Sequence, residues 1–250
     1  MKAHTKKKRK RRFKPFPFLL FLVFIGIVLA LIAALPIWTV NEVVVNGTRL
    51  LSPDEIKGLA GVPLGDNLFY TSFSKARENL KKINAIKSFS FYRIPPGTVL
   101  INIKERQPLA FVIFPHYSAL IDKDGVVLNR NQNLTFNLPN SVDLPVVSGI
   151  SQQKFLQGEK IESAAVEVIV NILGKLSPYL AKKKLQLELG EMENISFLLD
   201  DLLRVKLGKA EDIWHKMEVV AALLPVVQGK WDKIEYIDIR WPDNPVIKYK

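Results

Sequence analysis

The chain has 250 residues, of which 48% are hydrophobic and 24% charged, the composition of a folded protein. Its formal net charge is +12, but nine of its 36 Lys and Arg fall within residues 1–14, and the other 27 are nearly balanced by 24 acidic residues. A body with so little excess charge lacks the basic surface of a nucleic-acid-binding domain. The absence of cysteine excludes disulfides, thiolate zinc sites and cysteine nucleophiles.

The N-terminal segment has the pattern of a membrane anchor. No charged residue occurs from Phe16 to Val40. As a helix, these 25 residues extend for about 37 Å, whereas the hydrocarbon core of a bilayer is about 30 Å thick. The run is longer than the apolar region of a signal peptide and ends in Leu35-Pro36-Ile37-Trp38 rather than in small residues. The sequence therefore predicts a retained transmembrane helix at 16–40.

The charges on either side of this run predict its orientation. Seven consecutive cations, Lys6 to Arg12, precede it, and the first charge after it is Glu42. The positive-inside rule places such a basic segment in the cytoplasm. We therefore predict a cytoplasmic tail at 1–15, a single pass through the cytoplasmic membrane, and an extracytoplasmic remainder.

The residues that follow predict the order strand, helix, helix, strand, strand up to about residue 106. Ser52 with Glu55 three positions later has the sequence of a helix capping box, and Gly61 predicts the end of that helix. The last strand alternates strictly between apolar and polar residues. The predicted strands are Val43–Val45, Ile86–Arg93 and Val99–Glu105, and the predicted helices begin at Ser52 and Ser74.

The rest of the chain predicts a second unit of short strands with two helices. Asp200-Asp201 is a predicted hairpin turn, and the polar residues 129–143 are predicted to form a loop. The predicted strands are Leu109–Phe114, Ala119–Ile121, Val126–Leu128, Leu144–Gly149, Leu185–Leu189, Ile195–Leu199, Leu203–Leu207, Ile234–Trp241 and Val246–Tyr249. The predicted helices are Glu162–Leu176 and Lys209–Val227. Together the two units indicate an α+β protein.

Several motifs of the first unit resemble the POTRA domain of the FtsQ/DivIB family. The likeness extends from an opening strand, through a "G-x-N-L-F" turn, to a long stretch similar to "R-x-x-P-x-T-L-x-I-x-I-x-E-R-x-P-x-A". The residues that carry it are Val43-Val44-Val45-Asn46-Gly47, Gly65-Asp66-Asn67-Leu68-Phe69 and the stretch from Arg93 to Ala110.

The second unit resembles the β domain of the same family, so that the likeness covers roughly residues 42–249. The family usually has Tyr at the position of Trp241, and both residues are flat aromatics. The matching segments are Leu120–Gly125, Leu144–Gly149, Val205–Gly208 and Ile234–Trp241.

The resemblance implies a POTRA domain (βααββ) at 41–107 and a mixed or antiparallel β domain with two helices at 108–250. It also implies a non-enzymatic scaffold of the divisome. Such proteins bind FtsB/DivIC and FtsL, two kinds of small bitopic division protein, outside the cytoplasmic membrane. They help to regulate septal peptidoglycan synthesis. Neither a cofactor nor a metal is implied.

The same resemblance places partner binding at the last strands of the β domain, where a partner strand is added. The expected residues are Arg240, Trp241, Asp243, Val246 and Tyr249. A terminal strand leaves backbone groups unpaired for such addition. The structural alternative is that Trp241 caps the core while Arg240 is a solvated charge.

An enzyme and a sensor are two alternative classes of function. The sequence S-x-x-K of penicillin-binding proteins occurs at Ser72–Lys75 and Ser151–Lys154, but neither S-D-N nor K-T-G accompanies it. Asp122 and Asp124 suggest a calcium loop but lack the remaining ligands, so a turn explains them better. A membrane-anchored extracytoplasmic sensor or ligand-binding protein stays the alternative function, and a ligand pocket would mark it.

Overall fold

The computed structural model describes residues 15–114, 117–128, 144–151, 160–180 and 183–250. Three sequence predictions lie outside the described residues. They are the conformation of nearly all of the basic tail, the loop at 129–143, and the Lys154 end of the second S-x-x-K sequence.

The helices and strands lie along the chain in the order predicted from the sequence. The helices are α1 Pro15–Ala33, α2 Pro53–Ala60, α3 Ser74–Lys81, α4 Ser163–Leu176 and α5 Ile213–Val227. The strands are β1 Glu42–Asn46, β2 Ile86–Ile94, β3 Thr98–Glu105, β4 Pro108–Ile113, β5 Ser118–Asp122, β6 Val146–Ser148, β7 Leu185–Glu188, β8 Ile195–Leu199, β9 Leu203–Gly208, β10 Ile234–Asp238 and β11 Val246–Tyr249.

The first sheet has three strands in the order β1-β3-β2, with β3 parallel to β1 and antiparallel to β2. Side chains alternate along β3, so that Val99, Ile101 and Ile103 lie on one face of the sheet. All three are buried, as are Ile56 of α2 and Leu80 of α3. The βααββ arrangement predicted from the sequence is therefore confirmed.

A carboxylate from β3 fixes the turn that leads into α2. The two oxygens of Glu105 accept hydrogen bonds from the backbone N–H groups of Arg49, Leu50 and Leu51, at 2.8 to 2.9 Å. Ser52 occupies the N-cap position but makes no side-chain hydrogen bond to the helix. The Ser52 half of the predicted capping box is therefore wrong, because a residue of the sheet holds this turn instead. Gly61 ends α2 in the left-handed conformation, as expected.

The second sheet has eight strands in the order β11-β10-β9-β8-β7-β6-β4-β5. It is mixed, since β6 is parallel to both β4 and β7, and β9 is parallel to β10. Helices α4 and α5 share one hydrophobic core with it, in which Ile172, Phe197 and Met217 are almost fully buried. This arrangement agrees with the predicted mixed β domain with two helices.

An ion pair and two leucines join the first sheet to the second. Arg106, directly after β3, donates to Asp122 at 2.7 Å and to Asp124 at 3.2 Å. Asp122 is only 3% exposed, and its other oxygen accepts backbone hydrogen bonds from the turn after β5. Leu120 and Leu128 are buried within the core of the first sheet. The two sheets therefore contact each other directly.

Three predictions in the second unit differ clearly from the structure. Val126–Leu128 forms isolated bridges instead of a strand, with Val127 opposite Ile121 and Val126 opposite Lys160. Helix α5 begins at Ile213, four residues later than predicted, because Asp212 has the left-handed φ of 52°. Strand β10 ends at Asp238, before Arg240 and Trp241.

The N-terminal helix covers Pro15–Ala33, and a short 3-10 turn at Pro36–Trp38 follows it. The predicted span to Val40 is thus cut short by Pro36, which cannot continue the helical hydrogen bonding. Within the described residues, no helix meets the length and hydropathy required to cross a membrane. The large apolar side chains from Phe18 to Ile32 are between 37% and 64% exposed.

Candidate functional site

The C-terminal hairpin forms one end of the eight-stranded sheet. Strand β10 runs parallel to β9, and β11 returns antiparallel to β10, with Ile237 opposite Ile247 and Asp238 opposite Val246. Among the described residues no strand pairs with the outer side of β11. The outward backbone N–H and C=O groups of such an edge can pair with an added strand.

Arg240 is held by Asp238 just after β10 ends. Its Nε and terminal nitrogen donate to the Asp238 carboxylate at 3.0 and 2.7 Å, and its backbone N–H donates at 3.1 Å. These hydrogen bonds lower the pKa of Asp238 and raise the pKa of Arg240. Gly208 leaves room for the side chain, because a Cβ there would lie 2.9 Å from Arg240 Cγ.

Trp241 lies in the connection between β10 and β11, where it is 65% exposed. The guanidinium carbon of Arg240 is 5.0 Å from the centre of the indole ring, and Asn244 N–H donates to the Trp241 carbonyl at 3.0 Å. The residue that enters the core here is Ile239, which is fully buried. The alternative that Trp241 caps the core is therefore wrong, and Arg240 is an ion-paired residue rather than a free solvated charge.

The other three candidate residues lie around the same hairpin. The side chain of Asp243 is 92% exposed, with an oxygen 3.8 Å from His215 Nε2 of α5. Val246 and Tyr249 of β11 are 55% and 57% exposed. Because they are three residues apart on a strand, their side chains point to opposite faces of the sheet. The structure thus brings the five residues to one edge but not to one face.

Sequence reasoning missed the residues that support this edge. Tyr236 of β10 lies between Lys206 Nζ, 3.6 Å from the ring centre, and Lys248 Nζ, 5.4 Å from it. Lys248 also pairs with Glu235 at 2.9 Å, which raises the pKa of Lys248. Asp238 was missed as well, although an acid and an arginine two positions apart on a strand share a face and can pair.

The arrangement suits binding by backbone pairing better than it suits chemistry. In the part of the chain that the structure describes, no group of three or more His, Asp and Glu residues is placed to hold a metal ion. The hairpin offers an unpaired edge, an exposed indole and a fixed guanidinium. These are elements of a protein–protein contact.

Comparison with protein families gives two matches along the chain. Residues 38–106 match the POTRA domain, FtsQ-type, and residues 113–240 match the C-terminal domain of cell division protein FtsQ/DivIB. The second match ends at Arg240, so it includes the Asp238–Arg240 pair but not β11.

The chain is also similar to curated cell division proteins over most of its length. It is 26% identical to cell division protein DivIB of Clostridium acetobutylicum, covering 89% of this chain and 87% of that protein. It is 26% identical to cell division protein FtsQ of Geotalea daltonii, covering 87% and 78%. It is 25% identical to cell division protein DivIB of Clostridium botulinum, covering 96% and 93%. The chain therefore belongs to the FtsQ/DivIB family of cell division proteins.

Proposed function

We propose that this protein is a non-enzymatic scaffold of the division machinery. It binds FtsB/DivIC and FtsL type partners outside the cytoplasmic membrane and helps to regulate septal peptidoglycan synthesis. Membership of the FtsQ/DivIB family supports the role in division. The nature of the C-terminal edge supports a binding role rather than a catalytic one.

The proposal includes anchoring of the chain in the cytoplasmic membrane at the septum. Helix α1 exposes large apolar side chains from Phe18 to Ile32, a surface that is unfavourable in water. A helix that is apolar all round is typical of a lipid or core environment. We assign residues 1–15 to the cytoplasm, 16–40 to the anchor, 41–107 to the POTRA domain and 108–250 to the β domain.

The observation that carries the partner site is the free outer side of β11 beside the exposed Trp241. A partner strand added here gains backbone hydrogen bonds along β11, and side chains at Val246 and Tyr249 provide contacts on the two faces. Exposed aromatic and arginine residues are the commonest energetic centres of protein interfaces. Arg240, which is already oriented by Asp238, can meet a partner carboxylate without first being ordered.

The test compares two tryptophans in the intact chain, reconstituted in lipid nanodiscs. Trp241→Ala removes the candidate anchor, and Trp214→Ala removes a control indole that is 55% exposed and stacked under Lys175 at 3.8 Å. Binding of a purified FtsB/DivIC–FtsL pair from the same organism is measured by calorimetry. We expect Trp241→Ala to weaken binding by about 30-fold, and Trp214→Ala to leave it within about 2-fold.

Each other outcome has a definite meaning. Equal binding by wild type and both variants would retain the scaffold function and remove the partner site from Trp241. A folded intact chain that fails to bind the pair at all would contradict the scaffold proposal. That result would favour the membrane-anchored sensor or ligand-binding protein instead.

A further inference from the structure

A group of exposed apolar side chains surrounds the point where the chain leaves α1. We define the apolar collar as Leu35, Ile37, Leu64, Phe69 and Tyr70. These residues are 49%, 60%, 64%, 43% and 65% exposed, respectively. Two precede β1, and three belong to the turn between α2 and α3, so the collar combines two separate segments of the chain. Surfaces of this kind mark contacts with a protein, a ligand or a membrane.

Hydrogen bonds fix the turn against the end of α1. The Asn67 side-chain amide donates to the carbonyl of Ala33, the last residue of α1, at 2.8 Å. Leu68 N–H donates to the Trp38 carbonyl at 2.6 Å, and Val40 N–H donates to the Asp66 carbonyl at 2.8 Å. The first sheet is therefore connected to α1 through paired backbone, not through a free linker.

Trp38 completes this junction. Its Nε1 donates to the Ile32 carbonyl at 2.6 Å, and its ring contacts Phe69 edge to face, with ring centres 5.4 Å apart. An indole with one satisfied polar atom and an apolar body is the side chain that proteins place at the membrane–water boundary. Trp38 and Phe69 thus lie at the same level, directly beyond the end of the apolar helix.

The turn divides its apolar residues between two environments. Leu68 is fully buried in the core of the first sheet, whereas its neighbours Phe69 and Tyr70 point outward. Residues 62–72 contain a single charged side chain, Asp66, and no cation. A segment with large exposed apolar groups and little charge suits the boundary between headgroups and acyl chains.

We propose that the apolar collar lies in the interfacial layer of the membrane in which α1 is proposed to be anchored, and so seats the first sheet directly on the lipid surface. This inference rests on the proposed anchoring by α1. It commits to lipid as the occupant because the collar is continuous with α1 and is fixed to it by hydrogen bonds. It gives the "G-x-N-L-F" turn a role: Asn67 binds the helix end, Leu68 enters the core, and Phe69 meets lipid.

The test uses the absence of cysteine from the chain. Single cysteines are introduced in the intact protein at Phe69, at Ser88 and at Leu22, each carrying a nitroxide spin label. The protein is reconstituted in vesicles of phosphatidylcholine and phosphatidylglycerol without any partner. Ser88 is an exposed residue of β2 at the end away from Ile94 and the junction, and serves as the matched control. Collision rates with oxygen, which concentrates in lipid, and with a water-soluble nickel complex report the depth of each label.

We expect the label at Leu22 to lie in hydrocarbon, the label at Phe69 to show a higher oxygen-to-nickel ratio than the label at Ser88, and the label at Ser88 to be in water. Tyr70→Cys, also exposed, repeats the measurement should the Phe69 variant fold poorly.

Labels at Phe69 and Tyr70 that are as water-accessible as Ser88, with Leu22 in lipid, would overturn the collar and retain the anchor. A water-accessible Leu22 would instead contradict the anchoring itself. A lipid-exposed Ser88 would show contact unrelated to the collar and would overturn it too.

Discussion

Two stretches that resemble the family use their charged residues in opposite ways. In the stretch from Arg93 to Ala110, three charged residues make their contacts within the fold. Arg93 donates to the carbonyls of Leu68 and Thr71 at 2.6 and 2.7 Å, Glu105 holds the turn before α2, and Arg106 joins the first sheet to Asp122. In the stretch ending at Trp241, the half-exposed Arg240 pairs with the largely buried Asp238 beside an exposed indole. A motif rich in charge is therefore not by itself a binding motif.

The two ion pairs differ in how much of each side chain is exposed to solvent. The carboxylate of Asp122 is 4% exposed and the side chain of Arg106 is 21% exposed, so this pair is removed from most solvent. The side chain of Arg240 is 50% exposed, although its partner Asp238 is 11% exposed. Removing an arginine should therefore destabilise the protein strongly in the first case. In the second case we expect a smaller loss of stability, together with an effect on recognition.

The largest effect is expected for Arg106→Ala. The change leaves the buried Asp122 without its cation, and breaking a buried ion pair costs about 3 kcal/mol of the free energy of unfolding. Urea denaturation at neutral pH measures the loss. The control is Lys57→Ala, which breaks an exposed pair with Asp54 at 3.4 Å and should cost less than about 0.5 kcal/mol. Equal losses for the two variants would contradict the structural role given to Arg106.

A smaller loss of about 2 kcal/mol is expected for Glu105→Gln, because charge-assisted hydrogen bonds to three backbone N–H groups are weakened. Hydrogen exchange locates the effect, since the amides of Arg49, Leu50 and Leu51 should lose protection more than those of β9. Glu42→Gln provides the control, as this exposed glutamate accepts only a 3.4 Å bond from Thr98. Unchanged protection at all three amides would rule out the role of Glu105.

The Asp238–Arg240 pair at the C-terminal edge should make the stability of the protein depend on pH. Because Arg240 lowers the folded-state pKa of Asp238, the pair stabilises the fold at pH values above the unfolded pKa of about 3.9. That contribution is lost as the pH falls through the lower, folded-state pKa. Asp238→Asn should therefore be less stable than wild type at neutral pH, with the difference shrinking under strong acid. A difference that is constant from pH 7 to the acid limit would contradict this link.

The smallest effect on stability is expected for Trp241→Ala. Its indole is mostly exposed, and surface substitutions change the free energy of unfolding by less than about 0.5 kcal/mol. Thermal unfolding of wild type and variant should coincide, even though partner binding is expected to weaken. A large drop in unfolding temperature would show that Trp241 supports the hairpin and would weaken its use as a probe of binding.

The sequence was sufficient for elements with strong local signals. The alternation from Val99 to Ile103, the glycine that ends α2 and the paired aspartates between β8 and β9 each specify their own conformation. Two details of backbone conformation and strand pairing were predicted incorrectly. Asp212, with its left-handed backbone, delays the start of α5, and the strand predicted at Val126–Leu128 forms isolated bridges instead.

For the candidate site, the sequence predicted the location but not the contacts between residues that are far apart in the chain. The resemblance to the family was enough to predict that Trp241 and Tyr249 lie near a terminal edge. It was not enough to find Tyr236 between two lysines, or the contact of Arg106 with Asp122. These arise from residues brought together by sheet pairing over 12 to 30 positions.

The two ends of the eight-stranded sheet are not equivalent, and this sets how many partners it can take. At one end, the outer side of β5 is occupied by the bridge between Ile121 and Val127 and by the hydrogen bond from Leu128 N–H to the Leu120 carbonyl. At the other end, β11 faces outward, about 34 Å away across seven inter-strand spacings. Among the described residues, the outer side of β11 is therefore open to strand addition, whereas that of β5 is covered at Leu120 and Ile121. Strand addition at β11, as proposed, gives one partner strand for each eight-stranded sheet.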